Sequence, residues 1–243
     1  MQVMIESSAF ALDRSGRFEA FKVAKMGLGE RPPTRHKTRH LMAGDPQAIM
    51  ETAAAIKRGD LVVFPTDTIY GIGTNAFDES AILSLYGVKR RPSEKGIPIL
   101  LADGADLEKV ATAVPQAARD LMAHFWPGPL TLIVPKKRDL PAAVSDSEGI
   151  AVRIPDNEIA RAVIRAAGGA VATSSANRSG HAAAQTAGQA LAELEGDVAI
   201  VLDGGPTGQA TPSTIVDCTG ERMRILRQGS VTDELKLYDQ SIE

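Results

Sequence analysis

Two polar clusters hold the residues whose chemistry is most specific in this sequence. One is the cationic run 89–92, Lys-Arg-Arg-Pro, with Lys95 close behind. The other is the run 173–180, which carries small hydroxyl groups and the amide of Asn177. Cations hold an anion and short hydrogen-bonding groups orient it. The two clusters together therefore predict a polyphosphate site, provided that the fold brings them to one place.

The cationic cluster taken alone also fits a second interpretation. A helix is predicted to end just before it, and cations in the last turn of a helix offset the helix dipole. Pro92 stops that helix, however, so Arg91 and Lys95 cannot continue along a solvated helical face. The density of charge next to a predicted crevice favours an anion site.

A third polar segment, 64–73, begins where a short apolar strand ends at Pro65. Small polar side chains follow, among them Thr68, and then two glycines. Polar groups at the end of a strand in an α/β sheet project into a crevice where ligands bind, and glycine lets backbone approach a ligand closely. A plain turn with a side-chain hydrogen bond explains the same residues, so this segment alone does not decide between the two.

Later strands contain further polar residues. Arg153 lies in the apolar run 150–154, where a guanidinium group needs an anion or a carboxylate partner. A structural salt bridge and a ligand contact remain equally open for it. Ser213 and Arg227 raise the same question, and Thr131 can face either the crevice or the core.

The apolar periodicity places these residues in an α/β fold. Helices and strands alternate early and strands run consecutively late, which predicts a sheet of mixed parallel and antiparallel strands flanked by helices. Helices are predicted over 45–58, 79–87, 115–125, 158–167 and 186–194. Strands are predicted over 61–64, 97–101, 130–134, 149–154, 170–173, 199–202, 213–216 and 223–226. The predicted organisation is a loosely ordered polar extension over 1–43, a catalytic domain over 44–232 and a short polar tail over 233–243.

Composition limits the function classes. The chain has 243 residues, 44% of them hydrophobic, and a formal net charge of -3, which weighs against a dedicated nucleic-acid binder. Cys218 is the only cysteine, so no intramolecular disulfide can form. We expect a cytoplasmic protein without a membrane span or secretory signal. The histidines are scattered, so we expect no metal held directly by protein ligands.

Six short motifs occur in the order seen in one family. On these motifs, over about residues 45–230, the chain resembles the YrdC-like threonylcarbamoyl-AMP synthases, in the single-domain form that lacks an extra C-terminal domain. The Lys-x-Arg and Ser-x-Asn pairs are the hallmark of that family. The motifs are 65–73 (Pro-Thr-Asp-Thr-Ile-Tyr-Gly-Ile-Gly), 89–92 (Lys-x-Arg-Pro), 126–131 (Trp-Pro-Gly-Pro-Leu-Thr), 152–155 (Val-Arg-Ile-Pro), 175–180 (Ser-x-Asn-x-Ser-Gly) and 213–217 (Ser-Thr-Ile-Val-Asp).

The resemblance implies a twisted open sheet with a concave, basic cavity. It implies a nucleotidyltransferase that combines L-threonine, bicarbonate or CO2, and ATP with Mg2+ into L-threonylcarbamoyl-AMP and pyrophosphate. A separate threonylcarbamoyl transferase complex would use that product to modify tRNA, and double-stranded RNA binding is a further expectation.

The resemblance also implies roles for individual residues. Lys89, Arg91, Ser175 and Asn177 are the expected catalytic residues and bind ATP. The remaining assignments are Ser213 and Arg227 for ATP, and Thr68, Arg153 and Thr131 for threonine or its carbamate.

Two other functions compete with this hypothesis. A non-catalytic module could use a basic concave surface for double-stranded RNA, but the net charge of -3 disfavours it and the Ser-x-Asn cluster stays unexplained. A carbamoyl-adenylate-forming enzyme, as in hydrogenase maturation, is the other alternative. Such domains lie within much larger chains that carry zinc-finger parts, and this chain has one cysteine.

Overall fold

A ten-stranded mixed sheet forms the centre of the protein in the computed structural model, which describes residues 37–90, 96–208, 211–238 and 242. The strands are β1 (Arg39–Met42), β2 (Val62–Pro65), β3 (Tyr70–Asn75), β4 (Ile99–Leu101), β5 (Leu130–Pro135), β6 (Gly149–Arg153), β7 (Ala170–Ser175), β8 (Ile200–Asp203), β9 (Thr214–Asp217) and β10 (Arg224–Arg227). The α-helices are α1 (Pro46–Lys57), α2 (Glu79–Lys89), α3 (Gln116–Phe125), α4 (Glu158–Ala167), α5 (Ala187–Leu194) and α6 (Thr232–Tyr238), and short 3-10 helices cover Gly104–Lys109 and Ala142–Val144.

The strand order confirms the predicted fold class. Across the sheet the strands lie in the order β1-β8-β2-β3-β7-β4-β6-β5-β9-β10. The pairs β1–β8, β2–β8, β4–β6 and β5–β9 are parallel. The pairs β2–β3, β3–β7, β4–β7, β5–β6 and β9–β10 are antiparallel. The sheet is therefore open and mixed, as the alternation of elements predicts.

The two faces of the sheet are covered differently. The larger apolar cluster lies on one face, where it joins strand residues such as Ile72 and Leu132 to α2, α3 and α5. A smaller cluster on the other face joins strand residues such as Phe64 and Val171 to α1 and α4. Because side chains alternate along a strand, each strand contributes to both faces. The smaller cluster covers the region of β8, β2 and the adjoining strands.

Local sequence explains where α2 begins and ends. The Asp78 carboxylate accepts hydrogen bonds from the backbone N–H groups of Ser80 and Ala81, which satisfies donors that the first turn leaves without partners. At the other end, Arg90 has a left-handed backbone with φ of 51°. This conformation ends the helix at Lys89. The cationic cluster therefore begins in the last helical turn.

Secondary-structure elements cross the predicted domain boundaries at both ends of the described chain. The sheet begins at Arg39, within the predicted extension, because β1 pairs in parallel with β8. This strand is short and mostly exposed, so its sequence has no alternation of apolar and polar residues that would reveal it. Helix α6, Thr232–Tyr238, crosses the boundary predicted at 232. The rest of the predicted extension, residues 1–36, lies outside the described residues.

The segment 64–73 also differs from its prediction. We expected a loop whose glycines approach a ligand, but Gly71 and Gly73 lie in β3, which pairs with β2 and β7. A Cβ atom on Gly73 would lie 2.9 Å from the Phe64 ring and from the Val171 side chain. Glycine is therefore required there by close packing of the sheet face. The turn that remains between β2 and β3 is short and polar.

Truncation tests the contribution of β1. Removal of residues 1–43 takes away the β1–β8 pairing and the bond from Thr38 Oγ1 to the Val198 carbonyl oxygen, whereas removal of 1–36 leaves both. We expect the longer deletion to lower the melting temperature by about 4–8 °C relative to the shorter one, as a loss of about 2 kcal/mol implies. Equal melting temperatures for the two deletions would show that β1 does not stabilise the sheet.

Candidate functional site

Alternation along the strands places the predicted polar residues on one face of the sheet. Strand neighbours of these residues, such as Leu132, Val152 and Ala172, belong to the larger apolar cluster. Residues next to them in a strand point the opposite way. Thr131, Arg153, Thr173 and Ser175 therefore share the face that carries the smaller apolar cluster.

The first group of site residues forms around Lys89. Its side chain is 2% exposed, and its ammonium group donates to the carbonyl oxygens of Ser175 and of Asn177, the latter at 2.8 Å. The Ser175 hydroxyl oxygen and the Asn177 amide oxygen each lie 3.3 Å from Nζ. The structure thus brings Lys89 of the Lys-x-Arg motif together with Ser175 and Asn177 of the Ser-x-Asn motif. All four of these oxygens are uncharged carbonyl, amide or hydroxyl acceptors.

A tight turn at the end of β7 presents those oxygens. The backbone N–H of Asn177 donates to the Ser175 carbonyl oxygen at 2.9 Å. The side-chain nitrogen of Asn177 donates to the carbonyl oxygen of His181 at 2.6 Å, which directs the amide oxygen towards Lys89. Asn177 is 7% exposed and cannot change orientation without losing these bonds.

The second group forms around Arg153, which is 6% exposed. Its guanidinium group makes a charge-assisted hydrogen bond through Nη2 to the Asp67 carboxylate. Nη1 donates to the Thr68 hydroxyl oxygen at 3.3 Å, and Nε donates to the Gly128 carbonyl oxygen at 3.0 Å. The carboxylate partner that the sequence left open is therefore Asp67, which sequence reasoning did not identify.

This ion pair joins distant parts of the sheet. Arg153 ends β6, while Asp67 lies in the turn after β2, and the strands β3, β7 and β4 lie between β2 and β6. Burial lowers the pKa of Arg153, and the charge of Asp67 opposes that shift. Because an unpaired buried cation is costly, the Asp67 carboxylate holds the β2–β3 turn against the sheet face.

Thr66 shapes the β2–β3 turn from within. Its hydroxyl group donates to the Ile69 carbonyl oxygen at 2.7 Å and accepts from the backbone N–H of Thr68 at 3.2 Å. The hydroxyl oxygens of Thr66 and Thr68 are 3.1 Å apart, within hydrogen-bonding distance. These contacts fix the Thr68 hydroxyl between Thr66 and Arg153.

The third group links β5 with Ser213, just before β9, and with Arg227, the last residue of β10. The hydroxyl oxygens of Thr131 and Ser213 are 2.8 Å apart. Arg227 donates through Nε to the Ser213 carbonyl oxygen at 3.0 Å and through Nη2 to its hydroxyl oxygen, also at 3.0 Å. Gly229 allows this approach, because a Cβ atom there would lie 2.4 Å from the Pro212 carbonyl oxygen.

The strand register relates the three groups. Ser175 is opposite Gly71, the second residue of β3, and β3 follows the turn that carries Asp67 and Thr68. In the antiparallel β5–β6 pair, Leu132 is opposite Val152, so the next position along brings Thr131 beside Arg153. The predicted site residues that the structure describes therefore lie in three neighbouring groups. They are Lys89, Ser175 and Asn177 in the first, Thr68 and Arg153 in the second, and Thr131, Ser213 and Arg227 in the third. The predicted catalytic residue Arg91 lies outside the described residues, and so does Lys95.

A cavity of about 330 Å³ lies elsewhere in the described structure. Its walls include Leu107, Met122, Trp126 and Ile154, with Arg119 at the surface, and none of the predicted site residues lines it. The concave basic cavity expected at the three groups stays a prediction, since part of the cationic cluster lies outside the described residues.

The described ranges contain neither a cluster of metal-binding side chains nor a membrane-spanning helix. Within residues 37–90, 96–208, 211–238 and 242, no three histidine, cysteine, aspartate or glutamate side chains come together as a metal-ion site. None of the helices in the same ranges combines the length and apolar content that a membrane span requires.

The fold and the site define a class of protein: an open mixed α/β sheet with Arg153 and hydroxyl groups on one face and the buried ammonium group of Lys89 at the end of β7. This composition suits a phosphorylated ligand. The profile of the Sua5, YciO and YrdC proteins, described as "Telomere recombination", matches residues 54–229. The chain belongs to this Sua5/YciO/YrdC family.

Individual relatives agree with this assignment. The chain is 39% identical over 199 residues to the threonylcarbamoyl-AMP synthase of Bacillus subtilis, an alignment that covers 81% of this chain and 57% of the relative. It is 41% identical over 189 residues to a putative threonylcarbamoyl-AMP synthase of Mycobacterium tuberculosis, which covers 77% of this chain and 87% of that protein.

A solved structure shows the same fold. The structure of Pyrococcus abyssi Sua5 in complex with L-threonine superposes with a TM-score of 0.81 at 33% identity. The superposition covers 85% of this chain and 62% of the P. abyssi chain. The chain thus spans less than two thirds of the B. subtilis and P. abyssi relatives.

Substitution of Asp67 tests the second group. Asp67→Asn removes the only negatively charged acceptor among the Arg153 hydrogen bonds described above. We therefore expect the free energy of unfolding to fall by about 3 kcal/mol in urea titrations. Asp120→Asn, at an exposed aspartate that bonds to Gln116, is the matched control and should change stability by less than about 0.5 kcal/mol. Equal effects of the two substitutions would contradict the structural role of the ion pair.

Proposed function

We propose that this protein is an L-threonylcarbamoyladenylate synthase. It forms L-threonylcarbamoyl-AMP and pyrophosphate from L-threonine, bicarbonate or CO2, and ATP. The observation that carries the proposal is the joining of the two hallmark motifs, because the Lys89 ammonium group is bound by Ser175 and Asn177. Relatives at 39% and 41% identity with the names given above support the same activity.

The chemistry requires charge neutralisation before bond formation. The uncharged amine of threonine attacks CO2 to give a carbamate anion and releases one proton to solvent. A carbamate oxygen then attacks the α-phosphorus of ATP with pyrophosphate as the leaving group. Both reactants of the second step are anions. A buried ammonium group next to the reacting phosphate lowers the barrier because its field acts in a region with little water. Lys89 supplies that charge, and Arg91 adds a second.

The first and third groups bind the nucleotide. Ser175 and Asn177 orient the phosphates through short hydrogen bonds, close to the Lys89 charge. Ser213 and Arg227 bind the phosphates from the far side of the sheet face, where the guanidinium group is already directed by Ser213. Mg2+ enters as part of the ATP substrate and shields the triphosphate.

The second group binds the amino acid. Thr68 contacts threonine or its carbamate, and Thr131 borders the same place through its position beside Arg153. The guanidinium group of Arg153 has five N–H donors, and its bonds to Gly128, Thr68 and Asp67 use three of them. The other two donate to the threonine carboxylate. Asp67 then keeps the guanidinium group in place and limits the net charge of this subsite. The P. abyssi relative is described as a complex with L-threonine, which supports an amino acid ligand.

The use of the product indicates which partners this protein has. Threonylcarbamoyl-AMP is a mixed anhydride that a threonylcarbamoyl transferase complex consumes to modify adenosine in tRNA. This protein works with that complex in the cytoplasm, and RNA binding is a further part of the proposal. The two alternative functions have no specific support here, because the relatives named above are synthases and the net charge is -3.

An assay with labelled bicarbonate tests the proposal. Incubation of the protein with MgATP, L-threonine and labelled bicarbonate should give labelled threonylcarbamoyl-AMP and an equal amount of pyrophosphate. Both products should depend on threonine. Pyrophosphate release that does not depend on threonine would refute the proposed substrate, and the absence of any product would refute the activity.

Substitution of Lys89 tests its role in the reaction directly. We expect Lys89→Ala to reduce threonine-dependent pyrophosphate formation by about 100-fold or more, because it removes the buried charge that meets the reacting phosphate. Lys109→Ala removes a lysine that pairs with Asp106 at the surface and should leave the rate within about twofold. Rates are to be normalised to folded protein measured by circular dichroism, since Lys89 also holds the 175–177 turn. Retention of most activity by Lys89→Ala would show that another group provides the charge.

A further inference from the structure

Arg178 connects three parts of the chain behind the Lys89 group. Its Nη1 donates to the carbonyl oxygen of Val88, in the last turn of α2, at 3.2 Å. Its Nη2 donates to the Asp197 carboxylate, just beyond α5, at 2.6 Å. Its backbone N–H donates to the Glu193 carboxylate, within α5, at 3.3 Å. One residue of the Ser-x-Asn motif segment thus binds the ends of two helices.

The hydrogen bonds between α2 and this segment run in both directions. Lys89 donates from its side chain to the Asn177 carbonyl oxygen. In the other direction, Arg178 donates to the carbonyl oxygen of Val88, and the backbone N–H of Ser179 donates to the carbonyl oxygen of Lys89 at 3.0 Å. The last carbonyl groups of a helix lack partners within the helix. Arg178 and Ser179 satisfy two of them, so the segment that receives the ammonium group also holds its backbone.

We call the contacts of Arg178 and Ser179 with α2 and Asp197 the clasp. Its geometry requires arginine. The guanidinium fork reaches Val88 and Asp197 at once, with a different nitrogen for each. A lysine has one terminal nitrogen on a flexible stem and serves two separated acceptors poorly. The Arg178 and Asp197 side chains are 31% and 13% exposed, so the pair is only partly open to solvent. Arg178 also lies one residue from Asn177, and its displacement would move the Asn177 carbonyl oxygen.

We propose that Arg178 is a positioning residue for the reaction: it sets the distance between the Lys89 ammonium group and the oxygens of Ser175 and Asn177. It acts through these residues and not by contact with a substrate. The kinetic part of this inference rests on the proposed function, whereas the clasp itself does not. A misplacement of about 1 Å at a reacting centre can cost about 100-fold in rate, so a small shift of Lys89 is sufficient for a large effect.

Kinetics of three variants test the proposal. We expect Arg178→Ala to lower kcat about 10- to 100-fold per folded molecule, with the KM for L-threonine changed less than about threefold. Arg178→Lys should recover part of the loss, since it keeps the charge and one of the two contacts. Arg165→Ala is the matched control: Arg165 also pairs with an aspartate, Asp103, but belongs to α4 and not to the Lys89 group, so its kcat should be unchanged.

A measurement that does not depend on activity accompanies the kinetics. Hydrogen exchange followed by mass spectrometry on peptides that contain Ser179 should be faster in Arg178→Ala than in the wild-type protein, and unchanged in Arg165→Ala. Wild-type kcat in Arg178→Ala, or an equal loss in Arg165→Ala, overturns the proposal. So does a loss that disappears when the rate is divided by the folded fraction. If the wild-type protein forms no threonine-dependent product, the proposed function and the catalytic role of Arg178 fail together, while the exchange data still decide whether the clasp exists.

Discussion

A buried ammonium group is the constraint on which the rest of this structure depends. Lys89 is 2% exposed, and transfer of a charge out of water is costly unless hydrogen bonds replace the lost hydration. Carbonyl oxygens of Ser175 and Asn177 provide that replacement. These oxygens reach the ammonium group only because the C-terminal end of α2 lies next to the C-terminal end of β7. The left-handed residue after α2 and the tight turn after β7 produce that arrangement. The burial of Lys89 therefore depends on the backbone conformation at the ends of α2 and β7.

Arg153 follows the same logic at a second place. A buried guanidinium group is stable there because Asp67, Thr68 and the Gly128 carbonyl oxygen receive its hydrogen bonds. Arg153 lies on the sheet face opposite the larger apolar cluster, whereas Lys89 belongs to α2, which packs on that cluster, and reaches the residues at the end of β7. This division lets one sheet hold both a core and a polar site, because alternating side chains in a strand serve the two faces separately. The polar residues are thereby attached to a rigid support, as a site that works through positioning requires.

The sequence predicts elements well where a local signal is strong. Helix α4 has the predicted bounds, Glu158–Ala167, because Asn157 accepts a hydrogen bond from the Ala160 N–H at its start and Gly168 ends it in the left-handed conformation. Strands β1 and β3 were missed for opposite reasons. Strand β1 is an exposed edge without alternation, and β3 contains two glycines that are typical of turns. Both are strands because neighbouring strands supply hydrogen bonds, and the local sequence does not show this.

The sequence by itself determined the bounds of α4, the mixed α/β class and the residue types of the site, since caps, apolar periodicity and motif order are local or ordered along the chain. Only the tertiary structure decided the partners. Arg153 and Asp67 are separated by 86 positions, as are Lys89 and Ser175. No periodicity links such residues, and their pairing depends on strand order and on how each turn closes. For the same reason Asp67 and Arg178, which lie within motifs that the sequence identified, received their roles only when their contacts were known.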